Sequence, residues 1–226
     1  MAKAQRPRTI PERIATFIGV TLILVGLGFL GYVAWQYFGT NIVSKHKQTE
    51  IKSQLKIDWG KGIDADAIGL LRVPRFGKDY EVPIVKGGDF KDKAFTNAAL
   101  AKGAAWYEAG AKPGEIGNFA IAGHRVTHGE VFAKFPTLRR GDKVEVETRT
   151  NIYTYVLRNS GTSLTVDFSA KWVLMPNPID RNFKATMPLL TMLTCSEIFH
   201  TRNRSVVFGD LVNTVTKTGK TTGNSS

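Results

Sequence analysis

The sequence predicts a mostly β protein: a closed barrel of about eight strands with one or two short helices, preceded by one transmembrane helix. Three observations predict it. Ile14 to Phe38, near the N-terminus, is a run of 25 residues without a charge. From about residue 65, short β-prone runs recur between glycines and prolines. Residues 143–149, KVEVETR, alternate strictly, as a half-buried strand does.

As a helix, the uncharged run spans roughly 37 Å at 1.5 Å per residue, against about 30 Å for a bilayer core. It is longer than the apolar part of a cleavable signal peptide. Tyr32, Trp35, Tyr37 and Phe38 gather at its far end, where an aromatic belt sits. The expectation is an uncleaved anchor over 14–38, with a cleaved signal or a buried core helix as the alternative. Residues 1–13 form a basic tail, in which Lys3, Arg6, Arg8 and Arg13 face only Glu12. That imbalance favours a cytoplasmic N-terminus and an external C-terminal domain, although Lys45, Lys47 and Lys52 beyond the span reduce it. Gly26, Gly28 and Gly31 spell GxGxxG, but no strand–turn–helix boundary surrounds them. They are expected to serve helix packing, not a dinucleotide.

Residues 39–64 carry Lys45, Lys47, Lys52, Lys56 and Lys61 against Glu50 and Asp58. They read as a solvated extracellular stalk, partly helical, or as a segment held near anionic headgroups. Trp59 is an aromatic in this polar stretch, suited to docking on the domain or covering a groove. The folded domain is expected over 65–216. Residues 67–74 and 80–85 are its first β runs. Residues 97–108, alanine-rich behind Asn97 as N-cap, suggest a helix of about three turns. Residues 118–122, 143–149, 152–157, 162–168 and 171–175 continue the strands. A loop bracketed by Pro176, Pro178 and Pro188 precedes two further runs, 189–194 and 205–211. Residues 217–226 are small and polar and are expected to be a disordered tail.

The net charge of +12 suggests a polyanionic neighbour: lipid, wall polymer or nucleic acid. From Gly62 onward there are 22 basic residues against 16 acidic, so half of the excess lies in the tail and stalk. No basic helix or aromatic–basic stripe supports nucleic-acid binding. One cysteine excludes an intramolecular disulfide framework and cysteine-rich zinc sites.

That cysteine, Cys195, ends the β-type run TMLTC, and Arg204 begins the next β-prone run nine residues on. Adjacent strands joined by a loop bring such ends together. His124 follows the strand NFAIA, where a strand tip can aim an imidazole into a cleft for acid–base work. A core cysteine, a turn histidine and a surface arginine are the bland alternatives. Thr194, Arg125 and His128 beside them are candidate substrate-binding residues. HRVTH has the histidine spacing of HExxH but lacks the glutamate and sits in a loop, so zinc is not expected.

These residues resemble the sortases, exported Cys–His–Arg transpeptidases. The resemblance rests on TMLTC at 191–195, Arg204, and AGHR at 122–125. Residues 123–148, GHRVTHGEVFAKFPTLRRGDKVEVET, with YTY at 153–155, look most like the class E subgroup of actinobacteria. Met192 stands where a leucine is usual, Ser196-Glu197-Ile198-Phe199 where His-Pro-Lys-Phe is common, and His128 where a tyrosine is common. The resemblance implies a sortase-like barrel, no cofactor, Cys195 as nucleophile, His124 as acid–base and Arg204 as oxyanion or signal donor. It implies cleavage of a Leu-Pro-x-Thr-Gly-like or Leu-Ala-x-Thr-Gly-like signal between Thr and Gly. The partners would be secreted proteins with a C-terminal sorting signal and a lipid II or peptidoglycan amine. Alternatives are a pilus polymerase, which often carries a second, C-terminal membrane segment not seen after Leu211, and a non-enzymatic wall-binding barrel.

Overall fold

The computed structural model describes residues 10–63, 67–88, 95–196 and 202–217. Most of the basic tail, Glu197, Ile198, Phe199 and positions 218–226 lie outside the described residues.

Helix α1 (Ile10–Ala34) passes through a π-helical turn, Trp35–Gly39, into α2 (Thr40–Gly60). The two form one helical run from Ile10 to Gly60, long and apolar enough at its start to cross a membrane, and none of its most apolar stretch is buried. A Cβ added at Gly26, Gly28 or Gly31 would meet only open space, so these glycines make no close contact with other elements among the described residues.

Among the described residues nine strands follow: β1 (Ala67–Arg72), β2 (Glu81–Gly88), β3 (Ala104–Tyr107), β4 (Gly117–Ala122), β5 (Lys143–Glu147), β6 (Asn151–Leu157), β7 (Thr165–Asp167), β8 (Pro188–Cys195) and β9 (Asn203–Thr216). Their order is β6-β5-β1-β2-β3-β4-β8-β9, and β6 pairs with β9 to close an eight-stranded barrel. The short β7 pairs with β9 beside β8. Most neighbours are antiparallel, but β2–β3 and β4–β8 are parallel. Parallel neighbours need crossovers. The first includes the one-turn helix α3 (Asn97–Leu100).

Alternation sets the interior. In β5, Val144 and Val146 are fully buried while Lys143 and Glu145 face outward. Phe119, Ile121, Leu190, Met192 and Val207 join them in the barrel core. Two outer faces are also covered. Val173 and Leu174 lie over Ala120, Ala122, Tyr107 and Phe208. Leu55 of α2 lies among Ala67, Leu70, Val85 and Ala105, with Ile51 and Trp59 packed alongside.

Three expectations fail. Residues 97–108 do not form one helix: α3 stops at Leu100, its cap is Thr96 rather than Asn97, and AAWY is the fully buried strand β3. Alanine favours helix, but the slot between β2 and β4 rewards burial on both faces. Gly103, where a Cβ would collide with the Pro83 carbonyl, lets the chain turn into that slot. Residues 171–175 are not a strand: Lys171–Leu174 is a 3₁₀ turn. The Asn118 amide donates to the Val173 and Met175 carbonyls at 2.9 and 3.0 Å, so these carbonyls need no ladder partner. Lys217, assigned to the tail, is tied into the domain. Its ammonium donates to Glu147 at 2.6 Å and lies 4.4 Å from the Trp59 ring centroid.

The segment 39–64 is helical through Gly60, and one face of it is docked. Asn41, Ser44, Gln48 and Leu55 are buried. With Ile51 and Trp59 they recur every three or four residues, the spacing of one helix face. Lys56 bonds Glu81 at 2.9 Å, and Arg72 bridges Glu81 and Glu147.

Candidate active site

One end of the barrel collects the chemistry-bearing residues. In the antiparallel pair β8–β9, Cys195 is register partner to Arg204. On the other side of β8, β4 runs parallel, with Ala122 opposite Leu193. The pairing extends past the strand: Gly123 N donates to Leu193 O at 3.2 Å, and the Thr194 hydroxyl donates to Gly123 O at 2.8 Å. His124 therefore leaves the tip of β4 alongside the tip of β8 that bears Cys195. All three side chains are half-buried, and the His124 Nε2 atom is covered.

The loop after His124 has a constrained shape. Phe132 N donates to His124 O at 3.0 Å, closing the base of the loop. Within it, His128, Gly129 and Glu130 all have φ near +50 to +90° (54, 89 and 51°). Left-handed backbone costs about 1–2 kcal/mol at a residue with a side chain. The turn stacks the His128 ring on that of His124, with centroids 4.9 Å apart and planes 27° apart. The Arg125 guanidinium donates to Ser196 O, the carbonyl next to Cys195.

The three secondary candidates thus occupy distinct places. His128 lies on the face of His124. Arg125 holds the loop to the chain that follows the cysteine. Thr194 is buried beneath the strand tips, its hydroxyl bonded to Gly123. Among the described residues, no group of three or more His, Cys, Asp or Glu is placed to hold a metal ion. Two open depressions, about 170 and 380 Å³, lie along the loop between residues 172 and 189. Neither is lined by Cys195, His124 or Arg204.

Sequence reasoning missed Asn41, Ser44 and Gln48, which α2 presses onto the histidine loop. The Gly129 amide donates to Asn41 Oδ1 at 2.8 Å. Asn41 Nδ2 donates to Val126 O at 3.3 Å and to the Glu130 carboxylate. The signal was present as three-and-four spacing, but these positions are polar and a search for apolar stripes passes over them.

The sequence model of the Sortase domain family matches residues 71–212. Sortase SrtE1 of Streptomyces coelicolor is 30% identical over 205 residues, covering 86% of this chain and 56% of that protein. The chain thus spans just over half the length of that relative. Sortase SrtE2 of the same organism is 27% identical over 224 residues, covering 93% of this chain and 87% of that protein. The solved structure of sortase E from Streptomyces avermitilis superposes with a TM-score of 0.57 at 29% identity, covering 67% of this chain and 91% of that one.

Proposed function

The chain belongs to the sortase family, and from that premise we propose that it is a membrane-anchored cysteine transpeptidase. Residues 65–216 form its catalytic domain, outside the membrane, with the N-terminus in the cytoplasm. One observation carries the reading: Cys195 and Arg204 share a register position, and the parallel partner of the cysteine strand delivers His124 to the same end of the barrel.

Cys195 Sγ, as thiolate, attacks the carbonyl carbon of the threonine in a Leu-Pro-x-Thr-Gly-like or Leu-Ala-x-Thr-Gly-like signal. Arg204 donates hydrogen bonds to the oxygen that gains the negative charge. The C–N bond to glycine breaks, and His124, as imidazolium, gives its proton to the departing amine. The thioacyl-enzyme remains. A peptidoglycan or lipid II amine then enters and loses its proton to His124. It attacks the thioester and releases the thiolate.

The test uses the full chain in detergent or nanodiscs with a pool of Leu-Pro-x-Thr-Gly and Leu-Ala-x-Thr-Gly peptides and candidate amines. Mass spectrometry then reads products and the thioacyl adduct on Cys195. A folded protein that cleaves no peptide, and whose Cys195 is inert to iodoacetamide, would leave a wall-binding barrel as the better description.

A further inference from the structure

The docking stripe of α2 is apolar at one end and polar at the other. Leu55, 1% exposed, is buried against the β1–β3 face with Ile51 and Trp59 beside it. That contact seats the far end of the helix on the barrel. Toward the membrane, the same face presents Asn41, Ser44 and Gln48 to the loop that begins at His124. Burying polar residues there gains little from the hydrophobic effect, so their arrangement calls for another explanation.

Asn41 uses both ends of its amide. Its Oδ1 accepts from Gly129 N at 2.8 Å. Its Nδ2, with two hydrogens, faces three acceptors: Tyr37 O at 2.8 Å within the helix, Val126 O at 3.3 Å, and the Glu130 carboxylate. The residues so held include Gly129 and Glu130, two of the three consecutive positions in left-handed backbone. Strain of this kind persists only where the surroundings impose it. On the far side, Arg125 fastens the loop to Ser196 and the Tyr80 hydroxyl fastens Val131 O at 2.5 Å. The histidine loop is therefore gripped between the cysteine strand and the helix that continues from the anchor.

We propose that Asn41 is a positioning residue for the reaction: it fixes the 124–130 turn and, through it, the orientation of the His124 imidazole toward Cys195. The proposal rests on the reading of His124 as the acid–base group. Asn41 touches no substrate and acts through the loop. Gln48 is the internal contrast. It is equally buried on the same face and packs against Gly129, yet its Nε2 has no hydrogen-bond acceptor among the described residues. It fills space without directing the loop.

The experiment compares full-length wild type with Asn41→Leu and Gln48→Met in nanodiscs, by amide hydrogen exchange and by steady-state cleavage of a sorting peptide. Asn41→Leu is expected to speed exchange across 124–132 at least about tenfold while β1 and β2 keep their protection. It is also expected to lower kcat about ten- to a hundredfold with little change in KM. Gln48→Met is expected to change neither. A second pair keeps the test independent of side-chain size. Asn41→Asp removes the donors and sets a like charge against Glu130; adding Glu130→Gln restores a donor–acceptor pair of reversed polarity. Recovery of protection and kcat in the double variant supports the proposal.

Unchanged exchange in Asn41→Leu overturns it. So does faster exchange with wild-type kcat, or an equal loss in Gln48→Met. A folded wild type that cleaves no peptide breaks the catalytic reading instead, and the exchange data still decide whether Asn41 holds the loop.

Discussion

Along α2, two halves of one helix meet the barrel by different chemistry. Ile51, Leu55 and Trp59 insert into an apolar face, where the gain scales with area and tolerates small shifts. Asn41 meets the histidine loop through directional bonds that fail within a few tenths of an ångström. The first kind of contact holds elements together, and the second dictates their relative orientation. The strand tips repeat the contrast. Met192 and Leu193 are buried in β8, while Cys195, two residues on, is half-exposed and available for chemistry.

Substitutions can break that division or sharpen it. Cys195→Ala should abolish transfer and the thioacyl adduct with an unchanged melting temperature. His124→Ala and Arg204→Ala should each lose about 10²–10⁴ in kcat/KM. A large drop in melting temperature for any of the three would show that the site is also scaffold. Leu55→Ala should cost about 2–5 kcal/mol in denaturant unfolding, while the molecules still folded keep most of their kcat. If kcat falls in proportion, the two halves of α2 act as one unit and the division is wrong. Gly129→Ala should cost about 1–3 kcal/mol, because φ is +89° and the new methyl meets the Gln48 amide. Here kcat should fall together with stability.

Acid should act on the foot of the helix first. Burial raises the Glu147 carboxyl, but the bonds and charges of Lys217 and Arg72 outweigh it and hold it below its ordinary value of 4.5. Glu81 is likewise raised by burial and lowered further by Lys56 and Arg72. A carboxyl lowered in the folded state stabilises above its unfolded pKa, and that contribution is lost as pH falls through the folded value. The melting temperature should therefore begin to fall below about pH 4.5, and less steeply in Glu147→Gln. The smallest effect is expected at Arg202→Ala. Its partner Asp167 is held low by this bond and by Ser169, yet the pair is exposed. The denaturant midpoint should be nearly that of the wild type, because an exposed ion pair is screened by water and salt.

The barrel was legible because alternation in 143–149 and β-branched runs at 189–194 and 205–211 fix strands locally. It failed where tertiary context overruled local preference. An alanine-rich stretch became β3 because its slot is buried on both sides, and 171–175 turned because Asn118 takes its carbonyls. The pairing of Cys195 with Arg204 was legible from spacing, since two strands joined by a short connection place their ends together. The bond of Arg125 to Ser196 and the grip of Asn41 were not. Asn41 and Gly129 are 88 positions apart in the chain, and each looks ordinary in its own segment.

The unbroken helical run also sets a height. Asn41 lies three residues beyond Phe38, about 5 Å along the helix axis. With 14–38 in a bilayer, the loop that Asn41 grips lies level with the lipid headgroups instead of well out in the aqueous phase. In the reaction proposed above, a protein awaiting release from the membrane and an acceptor carried on a lipid would both present themselves in that layer. Their encounter with the site becomes a lateral search in a plane, and one extra helical turn between Phe38 and Asn41 would lift the site out of it.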